Sequence, residues 1–100
     1  MLKTKIFHLI FPFFFTLLNQ SLLSSEQLFI NNCSACHLGG SNIIIPEKNL
    51  KKETLIANGL NTIQSITYQI RNGKNGMPAF GGRLTEEEIV QIAKYIFATY

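Results

Sequence analysis

The feature that most restricts what this chain can become is the pentapeptide Cys33-Ser34-Ala35-Cys36-His37. Its Cys-x-x-Cys-His spacing is the attachment signature of a c-type haem. Two thiols about one helical turn apart can add to the two vinyl groups along one edge of the porphyrin, and the adjacent His37 can then supply an imidazole nitrogen to the iron. The pattern therefore predicts one covalent haem c per chain, held through Cys33 and Cys36.

Three other chemistries use a Cys-x-x-Cys spacing, and each fits this chain less well. A thiol oxidoreductase would place the motif in a βαβ context, and none is visible. A structural zinc site needs two further Cys or His ligands, whereas the only other histidine is His8, near the N-terminus. A disulfide between Cys33 and Cys36 would close too short a loop to stabilise a fold. The haem interpretation is favoured over all three.

Besides the position taken by His37, a haem iron has a sixth coordination position, which a second side chain can fill or leave open. Met77 is the only methionine after the initiator, and it stands in the loop sequence Gly76-Met77-Pro78-Ala79-Phe80. Pro78 and the preceding glycines stiffen and shape a loop that suits the presentation of a thioether, although a lone methionine can also simply fill a gap in a core. Met77 is predicted to be the second axial ligand.

Coordination by His37 and Met77 is typical of electron-carrying cytochromes c, and it predicts a carrier and not an enzyme. An open sixth position would instead indicate a haem enzyme or a gas sensor. That alternative is disfavoured because no distal His or Arg pair suited to peroxide activation can be assigned.

The first 24 residues have the order of a secretory signal peptide. Lys3 and Lys5 precede an apolar run over residues 6–18, and small and polar residues follow, so cleavage is expected between positions 21 and 25. The run is shorter than the roughly 20 apolar residues of a membrane span, which disfavours a retained anchor. The remaining domain, 25–100, is small enough to need a stabilising element beyond its side chains, and a tethered haem would supply it.

Charge excludes one class of partner. The whole chain has a formal net charge of +3, but from residue 25 onward seven Lys and Arg oppose six Glu, which leaves +1. Two ionised haem propionates would bring this to about −1, so no nucleic-acid partner is indicated. A near-neutral carrier is expected to form weak, short-lived complexes through an apolar patch around the exposed haem edge.

Hydrophobic periodicity predicts an all-α fold of about four helices. The predicted helices cover residues 25–36, 47–57, 61–71 and a last segment that begins after Thr85. That last helix has the clearest signal, because Thr85 and Glu88 form a capping box ahead of an apolar run. The residues predicted to face inward are Leu28, Phe29, Ile63, Ile66, Ile70, Ile89, Ile92, Ala93 and Ile96.

From about Glu26 onward the chain resembles cytochrome c6, the soluble photosynthetic cytochrome of algae and cyanobacteria. Four stretches carry the resemblance: CSACHLGG, NIIIPEKNLKK, ITYQIRNGKNGMPAFGGRL and the helix start TEEEI. The resemblance implies one class I cytochrome c domain, with a haem on Cys33 and Cys36 and iron ligated by His37 and Met77. It also implies electron transfer in the thylakoid lumen, from cytochrome f of the cytochrome b6f complex to photosystem I.

The resemblance extends to two further positions. Gln69 matches a polar residue that lies near the haem and helps to set its reduction potential. Arg83 matches a basic residue close to the haem region that contacts partners, although ordinary surface charge explains it equally well. The acidic run Glu86 to Glu88 is either a partner surface or favourable charge at a helix N-terminus, and the second is preferred.

The compartment is inferred from the signal segment and the composition. A bare signal peptide with no transit segment ahead of it fits a cyanobacterial gene or one encoded in a plastid. Thirteen Ile and nine Asn against five Ala are typical of an AT-rich coding genome, which favours the plastid. The protein is therefore expected in the thylakoid lumen. It is also expected to be a monomer. The main alternative keeps the fold and makes the chain a respiratory c-type cytochrome that donates to a terminal oxidase.

Overall fold

The computed structural model describes residues 23–100, so nearly all of the predicted signal peptide lies outside the described residues. Between residues 23 and 100 the chain forms no β-strand, and the predicted all-α class is confirmed. The α-helices are α1 Ser25–Asn32, α2 Ser34–His37, α3 Lys52–Ala57, α4 Ile63–Asn72 and α5 Glu86–Thr99. Two 3₁₀-helices, Leu38–Gly40 and Pro46–Lys48, complete the fold.

The first predicted helix, 25–36, is divided into α1 and α2 at Cys33. Cys33 has φ −123° and ψ −28°, outside the helical region. On either side of it, the Asn32 side chain donates to the Leu28 carbonyl at 2.9 Å and the Ser34 hydroxyl donates to the Ile30 carbonyl at 2.6 Å. Such side chains compete with the helix for its carbonyl oxygens, and the break gives five α-helices where about four were predicted.

The second predicted helix, 47–57, has an α-helical part that begins only at Lys52. Ahead of it lie the 3₁₀-helix Pro46–Lys48 and an extended segment over residues 49–51. There the Leu50 amide donates to the Gly40 carbonyl at 2.7 Å, and the Lys51 amide donates to the Asn49 side chain at 3.0 Å. These bonds require extended backbone, so the helix is shorter than predicted.

The core lies where α5 packs against both α1 and α4. On α1, the Phe29 ring lies 5.2 Å from the Tyr95 ring and 5.9 Å from the Tyr100 ring, measured between centroids. Ile89 and Ile92 on α5 are completely buried. Eight of the nine residues predicted to face inward are buried, and Ile63 is half-buried against them. The remaining buried apolar residues are Leu55 and Phe80.

The two long helices α4 and α5 are fixed at their ends by polar contacts. The Thr85 hydroxyl accepts from the Glu88 amide at 3.1 Å and the Glu88 carboxylate accepts from the Thr85 amide at 2.9 Å, which confirms the predicted capping box. At the same end of α5, Glu86 accepts two hydrogen bonds of 2.8 Å from the Arg71 guanidinium in the last turn of α4. The acidic run therefore caps a helix and ties it to its neighbour.

None of the helices α1 to α5, which all lie within residues 23–100, is long and apolar enough to cross a bilayer.

Candidate haem site

One cavity brings together all four residues predicted to form the site. It has a volume of about 330 Å³, within the range of sites that bind small molecules and cofactors, and Cys33, Cys36, His37 and Met77 all line it. The two cysteines and the histidine come from the α1–α2 junction and α2, whereas Met77 comes from the loop between α4 and α5. The apolar part of its wall includes Leu50, Leu55, Ile66, Ile70, Phe80 and Ile96.

The imidazole of His37 is held in one orientation by the backbone. Its Nδ1 lies 2.8 Å from the Ser41 carbonyl oxygen. Because a carbonyl oxygen can only accept, Nδ1 must carry the hydrogen, and the lone pair is then on Nε2. A backbone carbonyl on the far nitrogen is a common way to orient a histidine that ligates a metal. His37 is therefore prepared to donate Nε2 to an electrophilic centre.

This orienting contact was not predicted from the sequence. The chain returns to place the Ser41 carbonyl beside His37 by way of Gly39 and Gly40, whose φ angles are +65° and +81°. Left-handed backbone of this kind is open to glycine at little cost. The Gly39-Gly40 pair is the signal in the sequence that could have indicated this turn.

The two cysteines are half-buried free thiols at the cavity wall. Burial raises the pKa of Cys33 from 9.0 to about 11, and the neighbouring Cys36 adds to the shift because two thiolates would repel each other. Catalytic and redox-active cysteines have the opposite property, a lowered pKa that populates the thiolate. The environment of Cys33 therefore disfavours the thiol oxidoreductase alternative.

Met77 ends a tight four-residue turn that begins at Lys74. The Lys74 amide donates to the Met77 carbonyl at 3.1 Å, and the Met77 amide donates back to the Lys74 carbonyl at 3.0 Å. The Met77 side chain packs against the buried core, and its Sδ accepts from the Gln69 Nε2 of α4 at 3.8 Å. Gln69 also lines the cavity. The thioether is thus positioned by both its backbone and a side-chain donor.

Gly73 allows the segment after Met77 to pass directly over the end of α4. Its φ of +67° and ψ of 178° belong to a region that is essentially restricted to glycine. A Cβ at this position would lie 2.5 Å from the Met77 carbonyl oxygen and 2.7 Å from the Pro78 carbonyl carbon. No residue pattern around Gly73 predicts this close approach.

Arg83 does not line the cavity. Its guanidinium carbon lies 4.9 Å from the centre of the Phe80 ring, and Phe80 is a buried part of the cavity wall. This distance is within the range of a cation–π contact. Arg83 therefore contacts the site only through Phe80.

The residues of the cavity fit a haem c. Two adjacent thiols can form thioethers, Nε2 of His37 and Sδ of Met77 are the nitrogen and sulfur donors that haem iron accepts, and apolar walls suit a porphyrin. Lys48 and Lys74 supply positive charge in the same lining. Within residues 23–100 no three His, Cys, Asp or Glu side chains cluster to hold a bare metal ion. The assignment of His37 and Met77 as axial ligands remains a prediction.

Comparison with known proteins identifies a family. Residues 20–96 match a protein-family model described as "Cytochrome C oxidase, cbb3-type, subunit III". Cytochrome c6 of Bumilleriopsis filiformis is 55% identical over 75 residues, which cover 75% of this chain and 87% of that protein. Cytochrome c6 of Pyropia tenera is 56% identical over 75 residues, covering 75% and 88%.

A solved structure agrees with these relatives. The crystal structure of cytochrome c6 from the diatom Phaeodactylum tricornutum superposes with a TM-score of 0.72 at 53% identity, covering 75% of this chain and 88% of that one. The likeness in sequence and in fold thus extends over the whole domain that holds the cavity. The chain belongs to the cytochrome c6 family: it is a c-type cytochrome with covalent haem c and an electron carrier in photosynthesis.

Proposed function

We propose that this cytochrome carries single electrons from cytochrome f of the cytochrome b6f complex to photosystem I. The observation that carries the proposal is that two side chains suited to bind haem iron, His37 and Met77, line one cavity. His37 is held with Nε2 free to donate, and Met77 is held by a reciprocally bonded turn with its sulfur against Gln69. When bound, the haem supplies the one-electron couple of its iron.

The chain's own residues keep this couple rapid and reversible. Cys33 and Cys36 would tether the cofactor through thioether bonds, and His37 and Met77 would both bind its iron, which would leave no coordination position for a substrate. Each of these two side chains is held by a hydrogen bond within the protein, His37 by the Ser41 carbonyl and Met77 by Gln69. Apolar walls formed by residues such as Ile70 exclude water from the site. Little therefore has to move when an electron arrives or leaves.

An exposed apolar surface next to the cavity supports docking on membrane complexes. Leu38, Ile43 and Ile44 are 72%, 68% and 56% exposed, and Ile44 also lines the cavity. A small apolar patch, together with the near-neutral charge of the domain, favours short-lived complexes over tight ones. Release after each transfer is what a shuttle requires.

The proposal includes the compartment and the form of the protein. We assign residues 1–24 to a signal peptide, cleaved between 21 and 25, that directs the domain 25–100 to the thylakoid lumen of a plastid. We expect a monomer there. N-terminal sequencing of the protein isolated from thylakoids gives the cleavage site directly, and an intact first residue would contradict the assignment.

A respiratory role is the second candidate. The family model that matches residues 20–96 is described as subunit III of a cbb3-type cytochrome c oxidase, and this description favours a respiratory role. The relatives at 55–56% identity are named cytochrome c6 and favour the photosynthetic role.

Flash-induced re-reduction of photosystem I separates the two candidates. The reduced holoprotein should re-reduce the photo-oxidised reaction centre in a phase that grows with protein concentration. Ile43→Lys should slow this phase, whereas Ile56→Lys, an equal charge change at an isoleucine of α3 that is 52% exposed, should leave it unchanged. Failure to reduce photosystem I, together with steady turnover of a terminal oxidase, would establish the respiratory role.

A further inference from the structure

Three Asn-Gly steps occur in the described chain: Asn58-Gly59, Asn72-Gly73 and Asn75-Gly76. In such a step the glycine nitrogen can attack the side-chain carbonyl carbon of the asparagine, because glycine has no side chain in the way. All three asparagines are exposed to solvent. Solvent exposure and local sequence therefore do not distinguish the three steps. The hydrogen bonds of the glycine nitrogen and the asparagine side chain do.

The Asn72 step is blocked twice. The attacking nitrogen, that of Gly73, donates to the Gln69 carbonyl at 2.8 Å. The Asn72 side-chain amide donates to the Tyr68 carbonyl, also at 2.8 Å. Both partners of the reaction are thus fixed by the C-terminal turn of α4, and both bonds must open before they can meet.

The Asn58 step is blocked in a similar way. The Gly59 nitrogen donates to the Ile56 carbonyl at 3.1 Å. The Asn58 side-chain oxygen accepts from the Lys48 ammonium at 3.4 Å. Both contacts, at the C-terminal end of α3, must open before the Gly59 nitrogen can reach the Asn58 side chain.

The Asn75 step is free of both restraints. Neither the Gly76 nitrogen nor the Asn75 side chain has a hydrogen-bond partner among residues 23–100. Asn75 has φ +53°, whereas Gly76 does not have a positive φ, and these φ signs are those of a type II′ turn between the hydrogen-bonded residues Lys74 and Met77. In that turn the first central residue has ψ of about −120°. This ψ directs the next nitrogen toward the asparagine carboxamide.

We propose that Asn75 is a site of spontaneous deamidation. The Gly76 nitrogen loses its proton to solvent and bonds to the Asn75 side-chain carbon, whose bond to nitrogen breaks and releases ammonia. Water then opens the resulting succinimide at either carbonyl, which gives aspartate or isoaspartate. One water is consumed and one ammonia is released, with no oxidant or reductant.

The modification alters the turn that holds Met77. Isoaspartate inserts an extra methylene into the backbone between the two hydrogen-bonded ends of the turn, Lys74 and Met77. Their 3.0 Å and 3.1 Å bonds cannot both be kept in the longer loop, and the 3.8 Å contact of Met77 with Gln69 is then lost. This consequence for the iron, unlike the site itself, rests on the proposed role of Met77.

Peptide mapping by mass spectrometry tests the site. The folded holoprotein is aged in mildly alkaline buffer beside a denatured sample. In the folded protein Asn75 should convert about thirtyfold faster than Asn72 or Asn58, the factor expected from two hydrogen bonds of ordinary strength. In the denatured sample the three steps should convert at similar rates. Equal rates in the folded holoprotein, or an unchanged Asn75, would overturn the proposal.

Two variants identify the source of the product. Asn75→Gln lengthens the side chain, and Gly76→Ala hinders the attacking nitrogen while its Cβ meets only the Ile44 Cγ2 at 3.6 Å. Both should abolish the rapidly formed product, and its persistence in either would overturn the proposal.

The thioether-to-iron band of the oxidised protein tests the consequence for Met77. It should fall in step with the isoaspartate content. A band that survives full conversion would overturn the displacement of Met77. A fresh wild-type protein without the band would count against the proposed function, while the peptide map would still decide the site.

Discussion

Replacing Gly73 with alanine should detach Met77 from the cavity while leaving the helices folded. Gly73 has backbone angles that cost other residues about 1–3 kcal/mol. Its new Cβ would lie 2.5 Å from the Met77 carbonyl oxygen, so the Met77 backbone must retreat by about half an ångström to reach the closest contact that real Cβ atoms make. Crowding of this kind adds about 1–3 kcal/mol. We expect the free energy of unfolding to fall by roughly 3 kcal/mol.

Gly82→Ala is the matched control for this substitution. Gly82 also has a positive φ, +84°, but a Cβ there meets nothing within 4 Å. It should therefore show backbone strain alone, about 1–2 kcal/mol. Denaturant unfolding of the two holoproteins measures stability, and the near-infrared thioether-to-iron band of the oxidised form measures Met77 ligation. Gly73→Ala should weaken the band, and Gly82→Ala should preserve it.

The two variants also define what would refute this reasoning. If Gly73→Ala lost no more stability than Gly82→Ala and kept the full band, the close approach at Gly73 would have no role in placing Met77.

Three further outcomes follow from single contacts. Ile92→Ala should lower the free energy of unfolding by about 2–5 kcal/mol, because a completely buried side chain is lost from α5. Denaturant titration measures this loss of stability. The Arg71 guanidinium holds the pKa of Glu86 below its ordinary value, so this carboxylate stabilises the fold at neutral pH and the stabilisation is lost as the pH falls through the lowered pKa. Glu86→Gln should remove that part of the acid dependence of stability, measured by unfolding at a series of pH values. Gln69→Leu should lower the reduction potential, measured by redox titration, since its N–H draws electron density from the Met77 sulfur and favours the reduced iron.

Two of the three have a matched control. Ile30→Ala removes an isoleucine that is 47% exposed and should cost far less than Ile92→Ala. Glu87→Gln removes an equal charge from the same helix turn and should leave the acid dependence attributed to Glu86 intact. The packing of Ile92 would be contradicted if both isoleucine variants lost equal stability. The role of Glu86 would be contradicted if Glu86→Gln left the acid dependence of stability unchanged. The role of Gln69 would be contradicted if Gln69→Leu left the reduction potential unchanged.

The sequence predicted those parts of the fold that depend on neighbouring residues. The capping box of Thr85 and the apolar period that follows it define α5, and its predicted inward residues are buried. The extended segment over residues 49–51 was missed because it depends on the Leu50 amide bonding to Gly40, ten residues earlier. The break at Cys33 was missed because helical periodicity does not register side chains that compete for backbone carbonyls.

The residues of the site divide in the same way, into those that neighbouring residues identify and those that depend on contacts made only in the fold. Cys33, Cys36 and His37 form a contiguous motif with its own chemistry, so they could be identified without a structure. Met77 was predicted because it is the only methionine after the initiator, and in the structure it lines the same cavity. The Ser41 carbonyl is a backbone group, and the role of Gly73 lies in an absent side chain, so neither has a residue signature in the sequence.

The near-infrared spectrum of the oxidised holoprotein, compared with that of Met77→Ala, tests the central claim most directly. A carrier with both axial positions filled should show the weak thioether-to-iron band in the wild type and lose it in the variant. A wild type that is already high-spin and binds carbon monoxide at once would show an open iron, and the electron-carrier mechanism through His37 and Met77 would be wrong.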